Sequence, residues 1–228
     1  MEKMEKIENV LRFYILATSL KDKIRSGAKI WHISKDRLES VAEHIYGSCI
    51  LAIVMDSEYD FNINIDKVVK MLVIHEFEEI TIGDLTPFDN ITKEEKNLIG
   101  QRAVARFLDG IVKQEEYYQL TLEFNQKETN DSKFASYIDK LELILQMKLY
   151  EEQGYSDMYS EENKDLLKAG WIQKLMNNGA KTISDLFVDY HKPSFNGNEV
   201  FDSITDYVRD NNIQESIQKK KTKDTKKY

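Results

Sequence analysis

The sequence is short of cysteine: Cys49 is the single one in 228 residues. That excludes an internal disulfide and a thiolate zinc cluster, and it suits a reducing compartment. Proline and glycine are scarce too, at 2 and 9 residues. Sheets need many turns built on those residues, so the chain is expected to be helix-rich. Long apolar runs are missing. The longest, Ile50 to Met55, falls far short of the ~20 residues of a membrane span. The opening MEKMEKIENV is charged and carries no apolar signal core. A cytoplasmic protein with no membrane partner is therefore expected. Positive charge is also in deficit. A net charge of −8 argues against stable nucleic-acid binding, which depends on phosphate neutralisation. It leaves room for a small phosphorylated ligand in a local pocket.

Hydrophobic residues make up 41% of the chain, enough for a substantial core. They recur at helical spacing almost throughout. The pattern predicts an all-α, single-domain bundle of about eight or nine helices over residues 1–215. Ile7 to Ile15 form one stripe. A second helix, capped near Asp36, runs past Ile53. A third begins near Asp66 and extends to about Thr81, where GDLTPFDN breaks it. Thr92 and Glu95 fit a capping box that opens a helix through Val112. Further helices are expected over 115–126, 133–153, 160–176, 182–190 and 199–212. The remaining residues, 216–228, form a basic tail of low complexity.

Three polar positions need explaining. From Ile65 into VVKMLVIHEFEEITIGDLTP (68–87), positions 65, 68, 69, 72, 75, 76 and 79 share one helix face. That face is apolar for three turns and then becomes His75, Glu76 and Glu79. Buried charge must pair, reach water or bind a cation, and an ordinary surface pair of His75 with Glu79 explains the spacing equally well. Asp139 lies on a helix that is apolar nearly all round, so it points inward as a hydrogen-bonded structural group or as a ligand. His44 sits between Val41 and Ile45, where a satisfied core histidine is the ordinary reading. Taken together, two histidines and carboxylates from three helices suit a divalent metal.

In order, SVAEH, HE with EEITIGDLTP behind it, and YIDKLE resemble the HD-domain metal-dependent phosphohydrolase superfamily, and within it the branch of 5'-deoxynucleotidases. The likeness runs from about Arg25 to Glu152. It implies one divalent ion (Mn, Co, Fe, Ni, Mg or Zn) held by His44, His75, Glu76 and Asp139. It implies a catalytic role for Glu79, which acts on the attacking water. Asp84, with Thr86 beside it, would hold the sugar or phosphate. The resemblance also calls for an upstream arginine on the nucleotide, which Arg25 or Arg37 can supply, and it leaves Trp31 as a candidate to stack on a base. It further implies a nucleotide substrate and a homodimer. One departure is evident: the doublet is His-Glu where the family has His-Asp, which displaces the carboxylate by one methylene. Two alternatives therefore stay open. One is a degenerate HD-domain protein that binds nucleotide or a partner without catalysis, and the other is a phosphodiesterase for a signalling nucleotide. The Gly27 loop lacks any phosphate-cradle pattern. His32 and His191 read as surface residues, and Tyr117, Tyr118, Tyr155 and Tyr159 as core or interface.

Overall fold

Helical periodicity is realised as eleven α-helices and four short 3-10 helices among the described residues, with no strand among them. The computed structural model describes residues 2–86, 88–89 and 91–215. Pro87 and the basic stretch 216–228 lie outside the described residues. The two helices beyond the expected nine are short. One is α2 (Ser26–Ile30), and the other is α5 (Glu79–Ile82), which is separated from the helix before it. No described helix is long and apolar enough to cross a membrane.

The chain divides into two compact units. The first comprises the described residues up to Gly27 and Glu39–Asp139; the second comprises Ala28–Leu38 and the described residues from Lys140 onward. In the first unit, α1 (Glu2–Thr18) lays Phe13 on Phe77 and Phe107, with ring centroids 5.6 and 4.7 Å away. Next come α3 (Val41–Glu58) and α4 (Ile65–Ile74), which pack on each other. Val41, Ala52, Val68, Met71 and Leu72 are wholly buried. Two further helices, α6 (Lys93–Leu108) and α7 (Gln114–Gln126), complete the set around α4 and α5. The long α8 (Asn130–Glu152) gives this unit its first half, including Phe134, Ala135 and Ile138, all buried.

The rest of α8 belongs to the second unit and buries Leu141, Ile144, Met147 and Tyr150. There it is joined by α9 (Gly170–Asn177), α10 (Ile183–His191) and α11 (Glu199–Asp210). Phe195 and Phe201 stack at 5.3 Å within that core. His191 is half-buried against Tyr190, whereas His32 is exposed.

Among the boundaries that differ from expectation, three have a clear local reason. α3 starts at Val41 and not near Asp36, because Ser40 and Glu43 form a complete capping box there. α4 ends at Ile74 and does not run on to Thr81. The Leu72 carbonyl, which the next turn would use, accepts a hydrogen bond from His75 Nδ1 at 2.6 Å. The backbone then tightens to i→i+3 bonds, from Phe77 to Ile74 and from Glu79 to Glu76. Over 160–176 the expected single helix is two 3-10 turns and α9, separated by Ala169 in an extended conformation (ψ 129°).

Candidate metal centre

The centre lies within the first unit and is assembled from the first turns of α3, the end of α4 and the middle of α8. Ser40 caps α3, and the His44 amide donates to the Ser40 carbonyl at 3.1 Å. That places the His44 imidazole, fully buried, one turn inside the helix. His75 is the C-cap of α4, and the bond its Nδ1–H donates to the Leu72 carbonyl turns Nε2 toward the cluster. Glu76 follows it out of the helix. Asp139 comes from α8 and is 6% exposed, which confirms that it points inward.

Their donor atoms converge. His44 Nε2 lies 3.1 Å from Asp139 Oδ1 and 3.6 Å from Glu76 Oε1. His75 Nε2 lies 3.4 Å from Glu76 Oε1 and 3.7 Å from Asp139 Oδ1. One ligand atom from each of the four residues lies within 4.8 Å of the others. His75 Nε2 is buried and has no hydrogen-bond partner. An orphaned imidazole nitrogen facing two carboxylates is costly unless something binds it. The donor set of two imidazoles and two carboxylates is that of a first-row divalent ion. The residues present therefore fit a metal. They come from three helices, as the spacing of His44, His75 and Asp139 implies.

Glu79 and Arg25 lie beside this cluster. Glu79 opens α5, is 2% exposed, and has one carboxyl oxygen, Oε2, without a partner. Arg25 is fixed by a short antiparallel pairing of the chain before α2 with the chain before α3. In it Ile24 bridges Ser40, and the Arg25 amide donates to Glu39 at 2.9 Å. Its Nη1 reaches Glu76 Oε1 at 3.2 Å, Asp84 Oδ2 at 3.5 Å and Glu79 Oε1 at 3.9 Å. Asp84 also accepts from the Ser26 amide at 2.7 Å.

These contacts set the protonation pattern. Burial disfavours charge on Glu76, but His75 and Arg25 outweigh it and hold the carboxyl well below the ordinary range. Burial likewise opposes charge on His75, yet Glu76 and Asp139 lift its pKa well above the usual imidazole value. Glu79 moves the other way. Burial, reinforced by the neighbouring Glu76 and Asp84, pushes it far up, so it holds a proton in the ligand-free chain. Two carboxyls three residues apart thus differ in charge.

The remaining expected substrate residues fall differently. Thr86 is engaged by its own turn, since its amide and hydroxyl both donate to Asp89 Oδ2, at 2.6 and 2.9 Å. Arg37 is exposed and belongs to the second unit. Trp31, in the same stretch, is only 3% exposed, so its ring is core and offers little face for stacking on a base. The Ser26 amide and the Leu72 carbonyl were not foreseen, and no side-chain pattern announces a backbone contact. The Ser40–Glu43 cap was detectable as S-x-x-E.

An HD-domain family model matches residues 17–177 of the chain. The 5'-deoxynucleotidase hdd1 of Schizosaccharomyces pombe is 31% identical over 174 residues, covering 74% of this chain and 82% of that protein. The 5'-deoxynucleotidase HDDC2 of Homo sapiens is 31% identical over 147 residues, covering 63% of this chain and 69% of its own. A crystal structure of a predicted metal-dependent phosphohydrolase from Magnetospirillum magnetotacticum superposes with a TM-score of 0.64 at 22% identity, covering 91% of this chain and 93% of that one. The last likeness concerns the fold alone.

Proposed function

The chain belongs to the HD-domain family, and on that premise we propose a metal-dependent phosphomonoesterase that removes the 5'-phosphate from (deoxy)nucleoside monophosphates. The observation that carries this reading is the convergence of His44, His75, Glu76 and Asp139 within 4.8 Å, with the orphaned His75 Nε2 among them. Two of the similar proteins, hdd1 and HDDC2, bear the name 5'-deoxynucleotidase, which supports the substrate class. The reading also includes a cytoplasmic location and two copies of the chain per assembly.

His44, His75, Glu76 and Asp139 would hold the divalent ion. Bound there, such an ion supplies Lewis-acid polarisation of a phosphoryl oxygen and acidification of a water. The chain's own residues do the rest. Arg25 offers the phosphate a buried guanidinium, positioned by Glu76 and Asp84. Asp84, steadied by the Ser26 amide, accepts a sugar hydroxyl or orients Arg25. Glu79 takes the proton of the attacking water. Its buried, partnerless Oε2 is available for that bond once added positive charge nearby brings the carboxyl to its ionised form.

Purified protein with Mn(II) or Co(II) is expected to release inorganic phosphate from dAMP, and Glu79→Ala to lower the rate at least ~10²-fold. If no metal and no nucleotide in a broad panel gives release above the Glu79→Ala background, the phosphomonoesterase reading is lost. One observation favours the non-catalytic alternative. Arg25 lies 3.2 Å from Glu76 and already supplies positive charge beside the cluster. Metal analysis decides between them, because a non-catalytic protein of that kind would stay metal-free under any loading condition.

A further inference from the structure

The helix α1 has two apolar faces, and its own fold uses one. On the inner face Asn9 donates to the Gly110 carbonyl at 2.7 Å, and Phe13 packs on Phe77 and Phe107. The outer face carries Met4, Ile7, Val10, Leu11, Tyr14 and Ile15, each between 42% and 65% exposed. Scattered exposed apolar residues need no explanation, but an unbroken face of six on one helix does.

The spacing of that face is specific. Met4, Ile7, Leu11, Tyr14 and Thr18 alternate by three and four, the a/d rhythm of a helix seam. With Met4 at a, Lys3 and Val10 fall at g, while Glu8 and Ile15 fall at e. In a parallel pair each g residue faces the e residue five positions on in the other helix. Lys3 then meets Glu8 of the second copy, and Val10 meets Ile15. Charge finds opposite charge, and apolar finds apolar. Turning one helix end over end, with Ile7 against Leu11, would instead set Glu8 against Glu8. The f positions Asn9 and Leu16 lie on the opposite side, so the unit's own body does not obstruct the approach.

We infer that the outer face of α1 pairs in parallel with the same face of a second copy of this chain, with Lys3 of each copy bonded to Glu8 of the other. Other occupants fit less well. The stretch 216–228 offers only Ile217 and Tyr228 to an apolar face. An anionic membrane would need a basic rim, but Glu2, Glu5 and Glu8 offset Lys3, Lys6 and Arg12 on this helix. The inference rests on the two-copy reading above and is independent of the phosphomonoesterase reading.

The test is mass by light scattering on the full chain at micromolar concentration, with far-UV circular dichroism to confirm folding. Wild type is expected at twice the chain mass of 26.7 kDa. Ile7→Glu combined with Leu11→Glu is expected to give a folded monomer. Lys3→Glu should weaken dimerisation about tenfold, and adding Glu8→Lys should restore it. In a Cys49→Ser background, Leu11→Cys should give a disulfide-linked dimer on mild oxidation, because equivalent a positions face each other only in the parallel pair. A monomeric wild type overturns the two-copy reading itself. A dimer that survives Ile7→Glu with Leu11→Glu overturns this surface alone. A charge swap that fails to restore, or a Leu11→Cys dimer that does not cross-link, overturns the parallel alignment.

Discussion

Arg25 neutralises the carboxylates that would otherwise crowd the candidate centre. Its guanidinium is buried and touches Glu76, Asp84 and Glu79 within 3.9 Å. Burial works against its charge, but the carboxylates of Glu76 and Asp84 more than compensate and keep it cationic. Deleting one partner of a buried ionic cluster costs about 3–5 kcal/mol, because the others stay behind uncompensated. Arg25→Ala should therefore depress the melting temperature steeply in EDTA and far less in saturating Mn(II), which supplies replacement charge. Equal losses under both conditions would refute the shared-charge account. His44→Ala, in turn, should strip the metal from protein that otherwise carries it near one per chain, as read by elemental analysis. At this scale the sequence was informative wherever an ionisable group sat on an apolar face: His44, His75 and Asp139 announced themselves that way. It could not choose between Arg25 and Arg37, since the choice depends on the Ile24–Ser40 pairing. Nor could it tell that Trp31 is core, because a large aromatic is equally at home in a core or on a ligand.

The helices of the first unit matter through their ends. Ser40 Oγ accepts from the Glu43 amide at 3.3 Å, and Glu43 Oε2 accepts from the Ser40 amide at 2.9 Å. This cap decides where α3 starts, and hence the turn on which His44 sits. Ser40→Ala should cost about 1 kcal/mol in denaturant melts and should also loosen metal binding. A variant that loses stability while its metal affinity stays unchanged would separate the cap from the site. Helix existence was readable from periodicity, and the Thr92–Glu95 cap from its spacing. The end of α4 was not, because it depends on His75 turning back to Leu72, a side-chain choice that periodicity does not encode. Without that bond a continuous helix would carry Glu79 a full turn along the same axis, and α5 would not exist as a separate element.

At the scale of the whole molecule, the two units can be tested separately. In the second, Glu151 on α8 accepts from Ser184 Oγ on α10 at 2.6 Å and pairs with Lys148 at 3.2 Å. Burial raises its pKa, but hydrogen bonds from Ser184 and Thr182, with Lys148 beside them, bring the net shift below the ordinary value. A depressed carboxyl stabilises the fold above its unfolded pKa of ~4.3, and that stabilisation is lost as pH falls through the folded value. Glu151→Gln should thus be less stable than wild type by about 1 kcal/mol at pH 7, a modest figure because the group is only partly buried. The gap should close below about pH 4 in paired urea melts. A constant gap across pH would assign the effect to packing. The all-α class was legible from the shortage of breakers, but the division into two units was not. The second unit takes in Ala28–Leu38, which contacts alone determine and no linker marks.

The separation of His44 and Asp139 by 95 positions also has a meaning in time. A ribosome adds roughly 5–20 residues each second, so about 5 to 20 s pass between the two. From the synthesis of Glu76 to that of Asp139, about two-thirds of that interval, the nascent chain holds two histidines and Glu76 without their fourth companion. Any ion captured then is held by an incomplete set and exchanges freely. On the proposed function, tight loading, and with it the choice among competing cellular metals, would wait until α8 has been made.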